Sequence, residues 1–236
     1  MADHIHTIPV LDALREPKNC AFCVMHENLE KAAVNFIMSP AYMEDDVRRA
    51  TNEIGFCRHH LAQMYEEQNR LGLALMLHTH LLKLNADIEK LAKRSAPAPF
   101  FGKDTSGPIA KLMNHLQGVD VGCYVCNRVN TTFDRYIDTY FHLLNKGGEE
   151  ARLIKNQNGY CLNHFIALLE HAVNMGRGKR EAFIEEILPT QQKMMQNLAE
   201  DLEHFTIKFD HRNAELPWNN AKDALLRAVA ALGGEK

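Results

Sequence analysis

The sequence has no stretch approaching the roughly 20 uninterrupted apolar residues of a membrane helix. It also has no excess of positive charge, since 27 Lys and Arg stand against 30 Asp and Glu. The first absence argues against a membrane-spanning segment, and the second removes support for general nucleic-acid binding through phosphate neutralisation. Met1 to Val10 carries Asp3, His4 and His6 and no apolar run, so neither a secretory signal nor a lipid-facing anchor is expected. A Gly-rich phosphate loop, a Ser nucleophile elbow and a His-Glu-x-x-His metalloprotease motif are all missing. These absences predict a cytoplasmic, soluble protein with a protein partner, and they favour a non-enzyme without closing the enzyme alternative.

What is present is a chain of 236 residues, 46% of them hydrophobic, which can bury a core without disulfides. Its six cysteines fall in short-spaced groups. In a reducing compartment such groups read as ligands before they read as disulfides.

The groups recur. Cys20-Ala-Phe-Cys23 returns as Cys123-Tyr-Val-Cys126 after 103 residues, and Gly55-Phe-Cys57-Arg-His-His60 returns as Gly159-Tyr-Cys161-Leu-Asn-His164 after 104. Upstream of the second motif, Asp45, Asp46, Arg48 and Asn52 align without a gap with Glu149, Glu150, Arg152 and Asn156. The pattern predicts an internal duplication: a first helical metal-binding repeat over 1–94, a Pro/Gly linker over 95–108, a second repeat over 109–206, and a C-terminal segment with a short helix over 207–236. Arg94 to Pro108 holds three prolines and two glycines, incompatible with a continuous helix, and Phe100 and Phe101 suggest that it packs on the body.

Residues 24–37, 58–93, 127–145, 162–175 and 179–206 read as helix, and no run alternates with the period of a strand. Leu71, Leu75, His78 and Leu82 share one helical face, which marks His78 as a core or helix-contact histidine. Pro217-Trp218-Asn219 reads as the start signal of a last helix ending at Gly233-Gly234. The fold class expected is all-α.

A Cys-x-x-Cys turn directs two sulfurs to one point, and a Cys followed three residues later by His offers two more ligands from one helical face. Joining the motifs within each repeat predicts one set of Cys20, Cys23, Cys57 and His60 and another of Cys123, Cys126, Cys161 and His164. Each is a closed Cys3His set suited to structural zinc. The odd cysteine count in each half argues against internal disulfides. His59 competes with His60, but Asn163 stands at the matching place, so the duplication selects His60. Gly55 and Gly159 are expected to bend the chain before each Cys-x-x-His, and a thiolate in a helix's first turn gains from the positive helix end. Two zinc ions are the expected cofactors. Iron–sulfur centres with one His ligand, or metal-free redox cysteines, are the alternatives.

The paired acids Asp45/Asp46 and Glu149/Glu150 fit a catalytic cluster or the first turn of a helix, and the second reading is preferred. Lys208 to Asn213, followed by Pro217-Trp218, has no counterpart in the first half. It is either a functional segment or an ion-paired turn docking the last helix.

Taken together, Thr7-Ile-Pro-Val10, Cys20-x-x-Cys23, Tyr42-Met-Glu-Asp-Asp-Val-Arg48, Gly55-Phe-Cys57-x-x-His60, Asn69-Arg-Leu-Gly72 and Phe209-Asp-His-Arg-Asn213 with Pro217-Trp218 resemble a bacterial family catalogued as a domain of unknown function. The resemblance spans nearly the whole chain and implies a shared fold and shared metal motifs. The label of ABC-transporter substrate-binding protein that members often carry does not transfer, because such proteins are exported and α/β. Three functions stay open: a zinc-stabilised binding or regulatory protein, a redox protein using the same cysteines, and an enzyme with a site between the repeats or near Asp210, His211 and Arg212.

Overall fold

The helical periodicity is realised throughout the computed structural model, which describes residues 3–16, 20–92, 107–213 and 215–234. Among the described residues there are eleven α-helices and no strand. They are α1 (Asp3–Arg15), α2 (Ala21–Met38), α3 (Asp45–Ile54), α4 (Arg58–Glu66), α5 (Arg70–Ala92), α6 (Pro108–Val121), α7 (Tyr124–Lys146), α8 (Gly148–Lys155), α9 (Leu162–Val173), α10 (Arg177–Lys208) and α11 (Ala224–Gly233). None is long and apolar enough to cross a membrane.

Local chemistry explains the departures from expectation. The single helix expected over 58–93 breaks after Glu66, because the Asn69 side chain accepts from the Gly72 backbone N–H at 2.9 Å and donates to the Met38 carbonyl at 2.8 Å. Asn69 thus caps a new helix, α5, and ties it to the end of α2. The acidic pairs open α3 and α8, as first-turn acids should. The last helix starts at Ala224, later than Pro217-Trp218-Asn219 indicated, and runs to Gly233, capped by Gly234 with a φ of 78°.

The chain divides into two compact units that are not successive halves: Met1–Asn28 with Thr132–Lys236, and Leu29–Thr131. The boundaries expected at 94 and 108 fall inside the second unit, and most of the proposed linker, with Phe100 and Phe101, lies outside the described residues. Helices α2 and α7 each contribute residues to both units.

In the first unit Phe22 is buried among Phe133, Tyr140 and Tyr160, with ring centroids 5.1 to 5.8 Å away. The two buried tyrosine hydroxyls share a hydrogen bond of 2.8 Å, which satisfies both polar tips. In the second unit the core gathers Ile37, Met64, Met76 and Val125. The leucine face of α5 is a correction. Leu71, Leu75, His78 and Leu82 do share a face, but it is the exposed one. Gly72, Leu73 and Met76 are the buried residues of α5. Periodicity identifies a face without saying which face neighbouring helices cover.

Candidate metal centres

All eight expected ligand residues converge, and they do so in two clusters of three cysteines and one histidine. Cluster membership differs from expectation. One cluster is Cys20, Cys23, Cys161 and His164, and the other is Cys57, His60, Cys123 and Cys126. Each Cys-x-x-Cys meets the Cys-x-x-His of the other half of the sequence. A long helix runs on from the Cys-x-x-Cys in each half: the 18-residue α2, about 27 Å long, from Cys20-x-x-Cys23, and the 23-residue α7 from Cys123-x-x-Cys126. Each cluster lies wholly within one compact unit.

The geometry fits a single tetrahedral ion. Zinc–sulfur and zinc–nitrogen bonds of ordinary length give tetrahedral edges of about 3.8 Å between sulfurs and about 3.6 Å between sulfur and nitrogen. In the first cluster Cys23 and Cys161 Sγ are 3.6 Å apart, and His164 Nδ1 lies 3.6, 3.4 and 3.1 Å from Cys20, Cys23 and Cys161. In the second, Cys57 and Cys126 Sγ are 3.9 Å apart, and His60 Nδ1 is 3.2 Å from Cys57 and 3.3 Å from Cys123 and Cys126. These separations leave every cysteine free of disulfide.

Helix starts supply the ligands. Cys57 and Cys161 are the N-cap residues of α4 and α9, while Cys20 and Cys123 immediately precede α2 and α7. The glycines before the Cys-x-x-His motifs make the bend: Gly55 has a φ of 72° and Gly159 of 120°. A methyl group on Gly55 would lie 2.8 Å from His80 Nε2, and one on Gly159 would lie 3.0 Å from Met194 Cβ. Gly55→Ala and Gly159→Ala are therefore each expected to cost about 1–3 kcal/mol in urea unfolding, from backbone strain and the close approach together.

In each cluster the N-cap cysteine is pulled down and a cysteine of the Cys-x-x-Cys motif is pushed up. Hydrogen bonds from Cys20 and Cys23 hold the Cys161 thiol far below its ordinary range, helped by the His164 backbone N–H against the effect of burial. The same hydrogen bond to Cys161, then that with Cys23 and burial, push Cys20 far up. Burial acts to lower His164, but hydrogen bonds with Cys161 and Cys23 raise it to about 9. Burial opposes ionisation of Cys57, yet the His60 backbone N–H and hydrogen bonds from Cys123 and Cys126 bring it below its usual value. Burial, then the hydrogen bond with Cys123, raises Cys126 to about 12. In both clusters it is the N-cap cysteine whose ionisation is favoured, as expected at a helix start.

Sequence reasoning missed Glu30 and Gln191. Glu30 Oε1 lies 3.0 Å from Nε2 of His60 and 3.0 Å from Nε2 of His59, and Gln63 donates to its other oxygen at 3.2 Å. Burial acts to raise its pKa, but the hydrogen bonds from Gln63 and His59 bring it below the usual carboxylate value. An ionised carboxylate only accepts, so His60 Nε2 donates to it and Nδ1 is the ring nitrogen that faces the sulfurs. His59 itself is 59% exposed and outside the cysteine clusters. The position 103 residues after Glu30 is Phe133, whose ring lies 5.3 Å from that of His164. Buried Gln191 clamps the chain before Cys161, accepting from Tyr160 N and donating to Tyr160 O, both at 2.9 Å. The spacing of Glu30, two turns beyond Cys23 on α2, was a readable signal; Gln191 had none.

The Asp210–Asn213 segment is an ion-paired turn at the end of α10. Arg212 chelates Asp210, Lys208 donates to the Asn213 and Leu216 carbonyls, and His211 is 94% exposed.

An all-α chain carrying two Cys3His clusters defines a helical protein equipped to hold two metal ions. The chain belongs to the family described as "Family of unknown function (DUF6062)", whose model matches residues 1–236. No curated protein and no solved structure matches it.

Proposed function

We propose that the chain is a cytoplasmic zinc protein of the binding or regulatory kind, not an enzyme, in which two zinc ions hold helix starts together. The observation that carries this reading is the pairwise closeness of the donors, all within 4.8 Å of one another in each cluster. A multinuclear iron–sulfur centre distributes its thiolates over different irons and spreads them further. Four protein donors leave a tetrahedral ion no position for water or substrate, which favours a structural role. Zinc would displace the protons the thiols share and fix their charge. On this reading the sequence is a duplication whose copies trade their Cys-x-x-Cys helix starts. A protein partner is favoured by α11, where Ala224 and Ala228 are buried while Leu225, Leu226, Val229 and Leu232 are exposed.

Metal analysis of protein purified without added metal is expected to give two zinc ions per chain and a colourless solution, with helicity lost on chelation. A visible chromophore, or a metal-free chain of unchanged stability, would overturn the proposal. Glu30→Gln is expected to weaken zinc at the His60 cluster about 10- to 100-fold, by removing the carboxylate that orients and polarises His60. The His164 cluster should be unaffected, and competition with a chromophoric chelator resolves the two.

A further inference from the structure

A cavity of about 410 Å³ in the first unit reaches the sulfur ligands Cys20 and Cys161. Its size is that of a small-molecule pocket. Along one side stand Thr190, Lys193, Met194, Asn197 and Leu198, at offsets of 0, 3, 4, 7 and 8, which is one face of α10. The opposite wall is α11, through Arg227, Ala230 and Ala231, and the floor is Tyr160 with the two cysteines. The unrepeated C-terminal helix is therefore what closes this space.

The polar lining is one-sided. Among the described residues no carboxylate lines the cavity, whereas Lys193 and Arg227 do. Arg227 is already committed to Asp201 and Asp223, each at 2.9 Å. Lys193 is solvent-exposed and has no ion pair among the described residues, and the side chains of half-buried Thr190 and of exposed Asn158 and Asn197 are likewise without protein hydrogen bonds there. One uncommitted cation with three uncommitted neutral polar groups, set against an apolar wall, is the lining of a site for an amphipathic anion.

We propose that this cavity binds a small organic carboxylate, with its charged end beside Lys193 and its apolar body against Met194, Leu198 and Ala231. The orientation follows from the floor. With a divalent ion in place, three thiolates and one imidazole leave one net negative charge on the cluster, which repels the carboxylate toward the mouth. The pocket does not depend on the metal, since Cys20 and Cys161 line it with no ion bound.

The test uses the full chain with its metal content measured first. Hexanoate, hexylamine and hexanol are titrated separately while backbone amide NMR shifts are followed. Hexanoate is expected to bind tightest of the three, with the largest shifts at Tyr160, Lys193 and Asn197. Lys193→Glu is expected to weaken hexanoate by roughly tenfold or more, the loss of one charge-assisted hydrogen bond plus repulsion, and to improve hexylamine. Ala231→Phe fills the cavity without touching a charge and should abolish binding of hexanoate. Circular dichroism and metal content confirm that both variants fold. Hexanoate binding no tighter than hexanol, shifts mapping elsewhere, or an affinity indifferent to both substitutions would overturn the proposal. None of these results depends on whether the bound metal is zinc.

Discussion

A chain carrying Cys20→Ser together with Cys161→Ser is expected to retain one metal ion, whereas Cys20→Ser together with Cys57→Ser should retain none. The first pair removes two ligands from one cluster and leaves Cys57, His60, Cys123 and Cys126 intact. The second pair strikes both clusters once. Structural zinc in peptides contributes apparent binding energies of about 10–16 kcal/mol, which are at the same time folding energy. A three-ligand remnant with serine in place of thiolate loses enough of this for metal to be stripped by a modest chelator. The outcome expected is therefore one ion against zero after chelator challenge, read by elemental analysis. Sequential pairing within each half forecasts the opposite order, so a result of zero for the first chain and one for the second would refute the crossed arrangement outright. Cys57→Ser with Cys126→Ser supplies the mirror experiment, leaving the Cys20 cluster.

A protease site placed between residues 94 and 106, then cleaved, is expected to leave the two pieces associated as one particle on size exclusion. Each cluster draws two ligands from before the cut and two from after it, and Phe22 of the first piece is buried among Phe133, Tyr140 and Tyr160 of the second. Removing metal from the cleaved protein should weaken the association by orders of magnitude, because both clusters then cease to join the pieces. Cleavage turns an intramolecular contact into a bimolecular one, so the dissociation becomes dependent on concentration as well. Free separation of the pieces in the presence of metal would mean that the halves are self-contained.

The two experiments address the level at which sequence reasoning stopped. Identity of the candidate ligands was readable because the recurring Cys-x-x-His motif set His164 beside His60 and Asn163 beside His59. The partner of each motif was not. The sequence did show that the helix expected over 24–37 lies between Cys23 and Cys57. Motif spacing counts residues, whereas coordination depends on distance, and a helix converts one into the other only when its return path is also known.

By itself, the sequence determined the helical class through its 3.6-residue periodicity, the eight convergent side chains through their repetition, and the bends at Gly55 and Gly159 through the conformational freedom that only glycine has. The tertiary structure alone decided which helix faces are covered, leaving Leu71, Leu75 and Leu82 outside and small alanines of α11 inside. It also decided the exchange of ligands between halves, the carboxylate of Glu30 behind His60, and the cavity that α11 closes over Cys20 and Cys161. Periodicity and spacing are properties of neighbours along the chain; coverage and coordination are set by side chains that meet only after the chain has returned on itself.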